Sequence, residues 1–190
     1  GPCDLRPAPR QPRGWVRLMA ATSQWPAAVR ALRDLVGAVP GFRVPGGTAA
    51  GPAVTVYVGK QPEQSKDLGD WVCIGWQPAS SDAGRFEQEV AALATTRPRN
   101  ESGRIRCLAS AQRGNLDPLD ALDAAFAALA GVESALRVTD PQLGRRGPAA
   151  GQVQMFHAQL GEAGAVRWDK ALQVGHRCEV EFTVTYEARL

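Results

Sequence analysis

Four arginines, Arg97, Arg99, Arg104 and Arg106, crowd around one turn-like segment, with Arg113 just beyond and Glu101 the one acid among them. Guanidinium groups recognise phosphate and carboxylate in the same planar, two-pronged way. Such a cluster therefore suits an acidic partner surface or a nucleic-acid backbone. A solvated hairpin tip would carry the same residues. No aromatic side chains alternate with these arginines, which argues against stacking of single-stranded bases.

Other reactive groups are sparse. The chain has two histidines, His157 and His176, too few for a three-histidine metal site and poor material for a catalytic triad. His176 and Cys178 stand two apart, as metal ligands on one strand face can; a histidine at a strand entry beside a core thiol is the simpler reading. Glu87 with Glu89, and Glu179 with Glu181, are carboxylates two apart. A glycosidase needs its pair across a cleft, so these read as the solvated side of a sheet. Gly59-Lys60 lacks the glycines of a phosphate-cradling loop, and no GxGxxG, HExxH or GxSxG occurs. No enzymatic activity and no cofactor is expected.

Positioning elements come next. The 190 residues suffice for one generous domain or a domain with an arm, and 44% hydrophobic with 22% charged residues is ordinary globular composition. Residues 1–18 interleave Pro2, Pro7, Pro9 and Pro12 with arginines, which predicts an extended arm. Four arginines and one aspartate precede Met19; from Met19 onward 18 basic residues balance 18 acidic ones. The excess charge thus belongs to the arm, and a neutral body is not that of a globally basic nucleic-acid binder. Met19 is a plausible natural start. Cys3, Cys73, Cys107 and Cys178 form no CxxC pair; the last three sit in apolar runs and read as reduced core thiols, consistent with synthesis in a cytoplasm. No stretch is long and apolar enough to span a bilayer, and no secretory signal is recognisable.

Ser23 as cap, Trp25 at the entry, Pro26 in the first turn and the apolar series Val29, Leu32, Leu35, Val36 and Val39 predict an amphipathic helix ending at Pro40-Gly41. Ala53–Gly59 and Asp70–Gln77 read as strands, the second as a buried central one, joined by the polar connection 60–69. Arg85–Thr95 fits either helix or strand; a hairpin with the clearer strand Arg104–Gln112 is preferred. Asp117-Pro118 starts a second helix, whose stripe is Leu119, Leu122, Phe126, Leu129, Val132 and Leu136, closed by Asp140-Pro141. Gln152–Leu160 and Arg177–Leu190 alternate as strands, the latter with Cys178, Val180, Phe182, Val184 and Tyr186 on one face and Glu179, Glu181, Thr183, Thr185 and Glu187 on the other. A half-wet sheet with two striped helices implies an α+β two-layer sandwich: a mostly antiparallel or mixed sheet carrying two main helices on one face. Residues 19–190 are expected to form this single domain.

The order of these elements resembles the tail terminator proteins of long-tailed double-stranded DNA bacteriophages. The residues that carry the likeness are the helix Trp25–Val39, the run Asp70–Trp76, the segment Glu101–Gly114, the alanine-rich helix after Asp117 and the closing stretch Gly175–Leu190. The resemblance implies a structural virion protein at the head–tail junction, a homohexameric ring made of copies of itself. That ring would cap the major tail tube protein, stop its polymerisation and offer its other face to a head-completion (connector) protein, while DNA passes transiently through the lumen. Neither a membrane nor a catalytic residue is implied. Arg97, Arg99, Arg104, Arg106 and Arg113 become candidates for a ring face or lumen. Another head–tail joining or minor tail protein is the neighbouring reading, and a DNA-binding module the more distant one.

Overall fold

The computed structural model describes residues 23–46, 53–59, 69–78, 82–90, 99–114, 117–143, 154–170 and 175–189; residues 1–18, the expected arm, lie outside them. Helix α1, Trp25–Gly37, buries Ala28, Val29, Leu32 and Val36 and leaves Arg30 and Asp34 outside, the division its apolar spacing predicts. Gly41, at φ +84°, turns the chain into β1, Phe42–Arg43, a short strand within what reads as loop in the sequence. β2 (Val54–Val58) and β3 (Trp71–Ile74) follow in parallel with β1. All four residues of β3 are buried, as expected for a strand covered on both faces.

β4 (Gly84–Val90) makes the first part of the ambiguous segment a strand, antiparallel to β5 (Arg99–Arg113) with Gly84 opposite Ile105 and Val90 opposite Arg99; residues 91–95 lie outside the described ones. β5 is longer than the sequence suggests and runs through residues 99–103, which look turn-like on local composition. α2, Pro118–Ser134, ends in a π-helical turn over Ala135–Thr139. Asp117 caps it as expected, its carboxylate accepting from the Leu119 amide at 2.9 Å. β6 (Gln154–Lys170) and β7 (His176–Arg189) complete a mixed seven-stranded sheet in the order β1-β2-β3-β5-β7-β6, with β4 beside β5. The fold is α+β, with helices against one face of the sheet.

The stripe expected on α2 is turned. Leu119 is 57% and Phe126 43% exposed, while Ala121, Ala125 and Ala128 are buried with Leu129 and Val132. Alanines let the helix backbone approach the sheet closely, and below them lie Ala109 and Ala111 of β5, also buried. Gly131 continues this close packing: a Cβ there would overlap the Phe42 ring.

One polar knot ties α1 to the sheet. Glu101 of β5 is 1% exposed, and its Oε1 accepts from Ser23 Oγ at 3.1 Å, the Gln24 amide at 2.8 Å and Tyr186 Oη at 2.7 Å. Its Oε2 accepts from Gln88 Nε2 at 2.7 Å. Ser23 does not stand at the N-cap itself; Gln24 does, while Ser23 Oγ accepts from the Trp25 amide at 3.0 Å. The carboxylate of a distant strand thus meets a helix-start donor that has no partner within the helix. Tyr186 stands directly opposite Gly103, and only a glycine leaves room for its ring, since a Cβ would fall within that ring. Glu101→Ala, which strands several buried donors, is expected to lower unfolding free energy by about 3 kcal/mol or more in urea titrations. Gly103→Ala should cost a comparable amount by expelling Tyr186, whereas Glu101→Gln should cost less than either.

Candidate functional site

Along β5 the buried series Glu101, Gly103, Ile105, Cys107, Ala109 and Ala111 faces the helices. Strand alternation therefore sends Ser102, Arg104, Arg106, Leu108 and Ser110 to the opposite face, which is helix-free among the described residues. Arg104 is exposed and stands between Arg85 of β4 and Thr185 of β7. Arg106 is half-buried, opposite Thr183. Two adjoining clefts of about 470 and 480 Å³ share Arg85 and Arg104. Acid is interleaved in both: Glu87 and Glu187 line the first, Asp82 and Glu181 the second. Arg85 pairs with Glu87 at 3.2 Å, but both side chains are largely exposed, so the pair contributes little.

The expected arginine group is redistributed. Arg97 lies outside the described residues. Arg99 opens β5, opposite Val90. Arg104 and Arg106 share the open face and gain Arg85, which the sequence pattern did not single out. Arg113 stands at the other end of β5, roughly 46 Å from Arg99 along the strand. There its Nη1 and Nη2 bind Asp70 Oδ1 and Oδ2 at 2.5 and 2.9 Å, and hydrogen bonding to Asp70 holds its guanidinium above the ordinary arginine value. Arg113 is a clamp between β5 and the start of β3.

An interrupted strand shapes this face. β3 and β4 run in the same direction along one edge of β5; the pairing of β3 ends at Cys107 and that of β4 begins at Ile105, so Arg106 alone lies between them. Arg106 stitches both ends: its carbonyl accepts from the Trp76 amide at 2.9 Å and its amide donates to the Ala83 carbonyl at 3.0 Å. Beside the interruption Trp71, Cys73, Trp76 and Leu108 form a second buried cluster, with Tyr57 packed against it. Arg177 lies over the Trp71 ring, 5.4 Å from its centroid, donates to Ser110 Oγ at 3.1 Å and pairs with Glu179 at 2.7 Å. Sequence reasoning did not find this arginine. The signal was present, because Trp71 and Cys73 alternate with Val72 and Ile74 in a run apolar on both faces.

Cys73, Cys107 and Cys178 are free and buried. Burial pushes the Cys73 thiol up to about 11 and raises Cys107 and Cys178 as well, the opposite of an activated nucleophile. Cys178 points into the core while His176 is half-buried, and no group of three potential ligands capable of holding a metal occurs among the described residues. No helix among the described residues is long and apolar enough to cross a membrane. Compared with known proteins, the chain matches no family model and no curated protein.

Burial, then hydrogen bonding to Glu101, also raises the Tyr186 phenol. Groups whose folded values lie above their unfolded ones stabilise fully below the unfolded value and lose that contribution as pH rises. Thiols and tyrosine titrate near 9 and 10 when unfolded, so the urea midpoint should fall steadily as pH rises above about 9. Cys73→Ala should lower the midpoint at neutral pH and yet make the alkaline fall shallower.

Proposed function

We propose that this chain is a ring-forming structural subunit, a tail terminator of a long-tailed double-stranded DNA bacteriophage, located in the virion at the head–tail junction. The observation that carries the reading is a pair of strand edges at one level of the sheet. Arg85, Arg104, Thr185 and Gln159 form one row across β4, β5, β7 and β6. Among the described residues, β4 and β6 at the two ends of that row pair with nothing further. Free edges are a liability in an isolated molecule and an asset where a neighbour continues the ladder. β4 and β6 run in opposite directions, so β6 of a second copy can add to β4 as a further antiparallel strand. A head-to-tail contact of this type closes into a ring when the rotation allows.

The helix-free face suits the role. Its arginines and acids alternate, giving a mixed surface without a strong field of one sign. Duplex DNA could pass such a wall without being gripped, whereas a DNA-binding module concentrates basic charge on one face. In the ring, Arg104 and Arg106 face the lumen or the tube.

Purified tail tubes imaged with and without the protein test this reading. The expected result is a ring at one end of each tube and an arrest of further growth. Unchanged growth, or binding confined to the connector, overturns it. A substitution addresses the edge. Because the Arg106 amide bonds to the Ala83 carbonyl, antiparallel alternation directs the Phe86 amide away from β5. Phe86→Pro should therefore abolish ring closure while leaving thermal stability within about 1 kcal/mol of the parent, and Phe86→Ala should close normally.

A further inference from the structure

α2 is apolar on two sides. Toward the sheet it buries Ala121, Ala125, Ala128, Leu129 and Val132. Away from the sheet stand Leu119 and Phe126, and in the π-helical turn Val138, 80% exposed; these are three of the six exposed large hydrophobic residues among those described. Ala127 and Ala130, both exposed, lie between them. α1 turns Arg30 and Asp34 to the outside, as a helix covered on one side does. α2 instead keeps large apolar side chains on its outer side among charged ones, as a helix with a second covering surface does.

The charges at its ends indicate what covers it. Asp117, Asp120 and Asp123 are exposed at the N-terminal end. Arg137 is exposed at the other end, its Nη1 3.0 Å from Glu133 Oε1. Turned end for end, this face complements itself. Leu119 comes level with Val138 of a second copy, Asp120 with Arg137, Asp123 with Ser134, and Ala127 with Ala130, so that small residues fall where the two helix axes meet. A parallel arrangement would set acid against acid and add the unfavourable alignment of helix dipoles.

We propose that a second copy of this chain docks antiparallel across the outer face of α2, in an isologous two-fold contact. The proposal goes beyond the ring reading: it uses the helix layer, whereas the ring uses the strand edges, and the two contacts do not overlap. An apolar patch on a single helix is on the order of a few hundred Å², which belongs with weak, transient pairs.

Sedimentation velocity of the full chain over a wide concentration range tests it. The expected result is a monomer–dimer equilibrium that Phe126→Ser weakens by about tenfold or more. Arg137→Glu should weaken it too, and adding Asp120→Arg and Asp123→Arg to that variant should restore it. Independently of folding effects in these variants, Ala130→Cys in a Cys3→Ser background should give a self-linked dimer with a bis-maleimide reagent, since Ala130 lies near the two-fold axis. Association that Phe126→Ser and Arg137→Glu leave unchanged overturns the proposal, as does a monomer at every concentration with no cross-link. Loss of tail-tube binding in the α2 variants, with self-association unaltered, would also overturn it and assign the face to the tube protein. Ring closure on tubes that persists in Phe126→Ser separates this contact from the ring, because that outcome leaves the ring reading standing.

Discussion

A buried carboxylate organises the molecule. Glu101, on β5, sits where β7, β4 and the start of α1 converge, and each of these three neighbours sends it a donor. Taking a carboxylate out of water is costly unless its acceptor positions are filled. Here the filling groups come from residues as far apart in sequence as Ser23 and Tyr186. The knot therefore exists only when the helix, the central strand pair and the β4 edge are all in place. A buried polar group of this type favours one arrangement over neighbouring ones, because a slip of one residue in β5 would turn Glu101 to the open face and leave its partners unmet.

The two helices do different work on the same sheet. α1 is amphipathic, packs toward β2, β3 and β5, and is anchored by its first turn. α2 lies close over β5 and β7 because its inner face is alanine, and that closeness is matched by Ala109 and Ala111 beneath. Placing the small residues inside leaves Leu119 and Phe126 outside, a poor choice for a helix with one covered side and a reasonable one for a helix with two. The Trp71–Leu108 cluster, on the helix-free face, likewise shows apolar burial on both sides of the sheet.

The strand interruption opposite Arg106 links fold to site. Had β3 continued directly into β4, β5 would carry one unbroken neighbour along that edge. Instead β3 ends and β4 begins on either side of Arg106, whose two backbone groups are both satisfied, so the interruption costs no ladder bond at that position. It places Trp76 and Asp82 beside Arg104 and Arg106, and the clefts on the open face follow from that geometry. The mixed charge of those clefts is a product of the pairing, since Arg85, Glu181 and Glu187 arrive from two other strands.

Local sequence determined the elements whose periodicity is strong. The apolar spacing of Val29, Leu32 and Val36, the Asp117-Pro118 start of α2, the buried run of β3 and the alternation from Cys178 to Tyr186 each predict what is found, because short-range pattern and burial agree there. The α+β sandwich follows from their sum. Tertiary structure alone decided the remainder. Residues 99–103 look like a turn by composition and are a strand because β7 and β4 pair with them. Glu101 looks like relief among arginines and is the buried hub because Ser23 and Tyr186 reach it. The arginine group is divided, with Arg113 clamped to Asp70 and Arg104 beside Arg85, because a fifteen-residue strand separates in space what sequence places together. The physical reason is common to all three: pairing and burial depend on partners scores of residues away, which no local window contains.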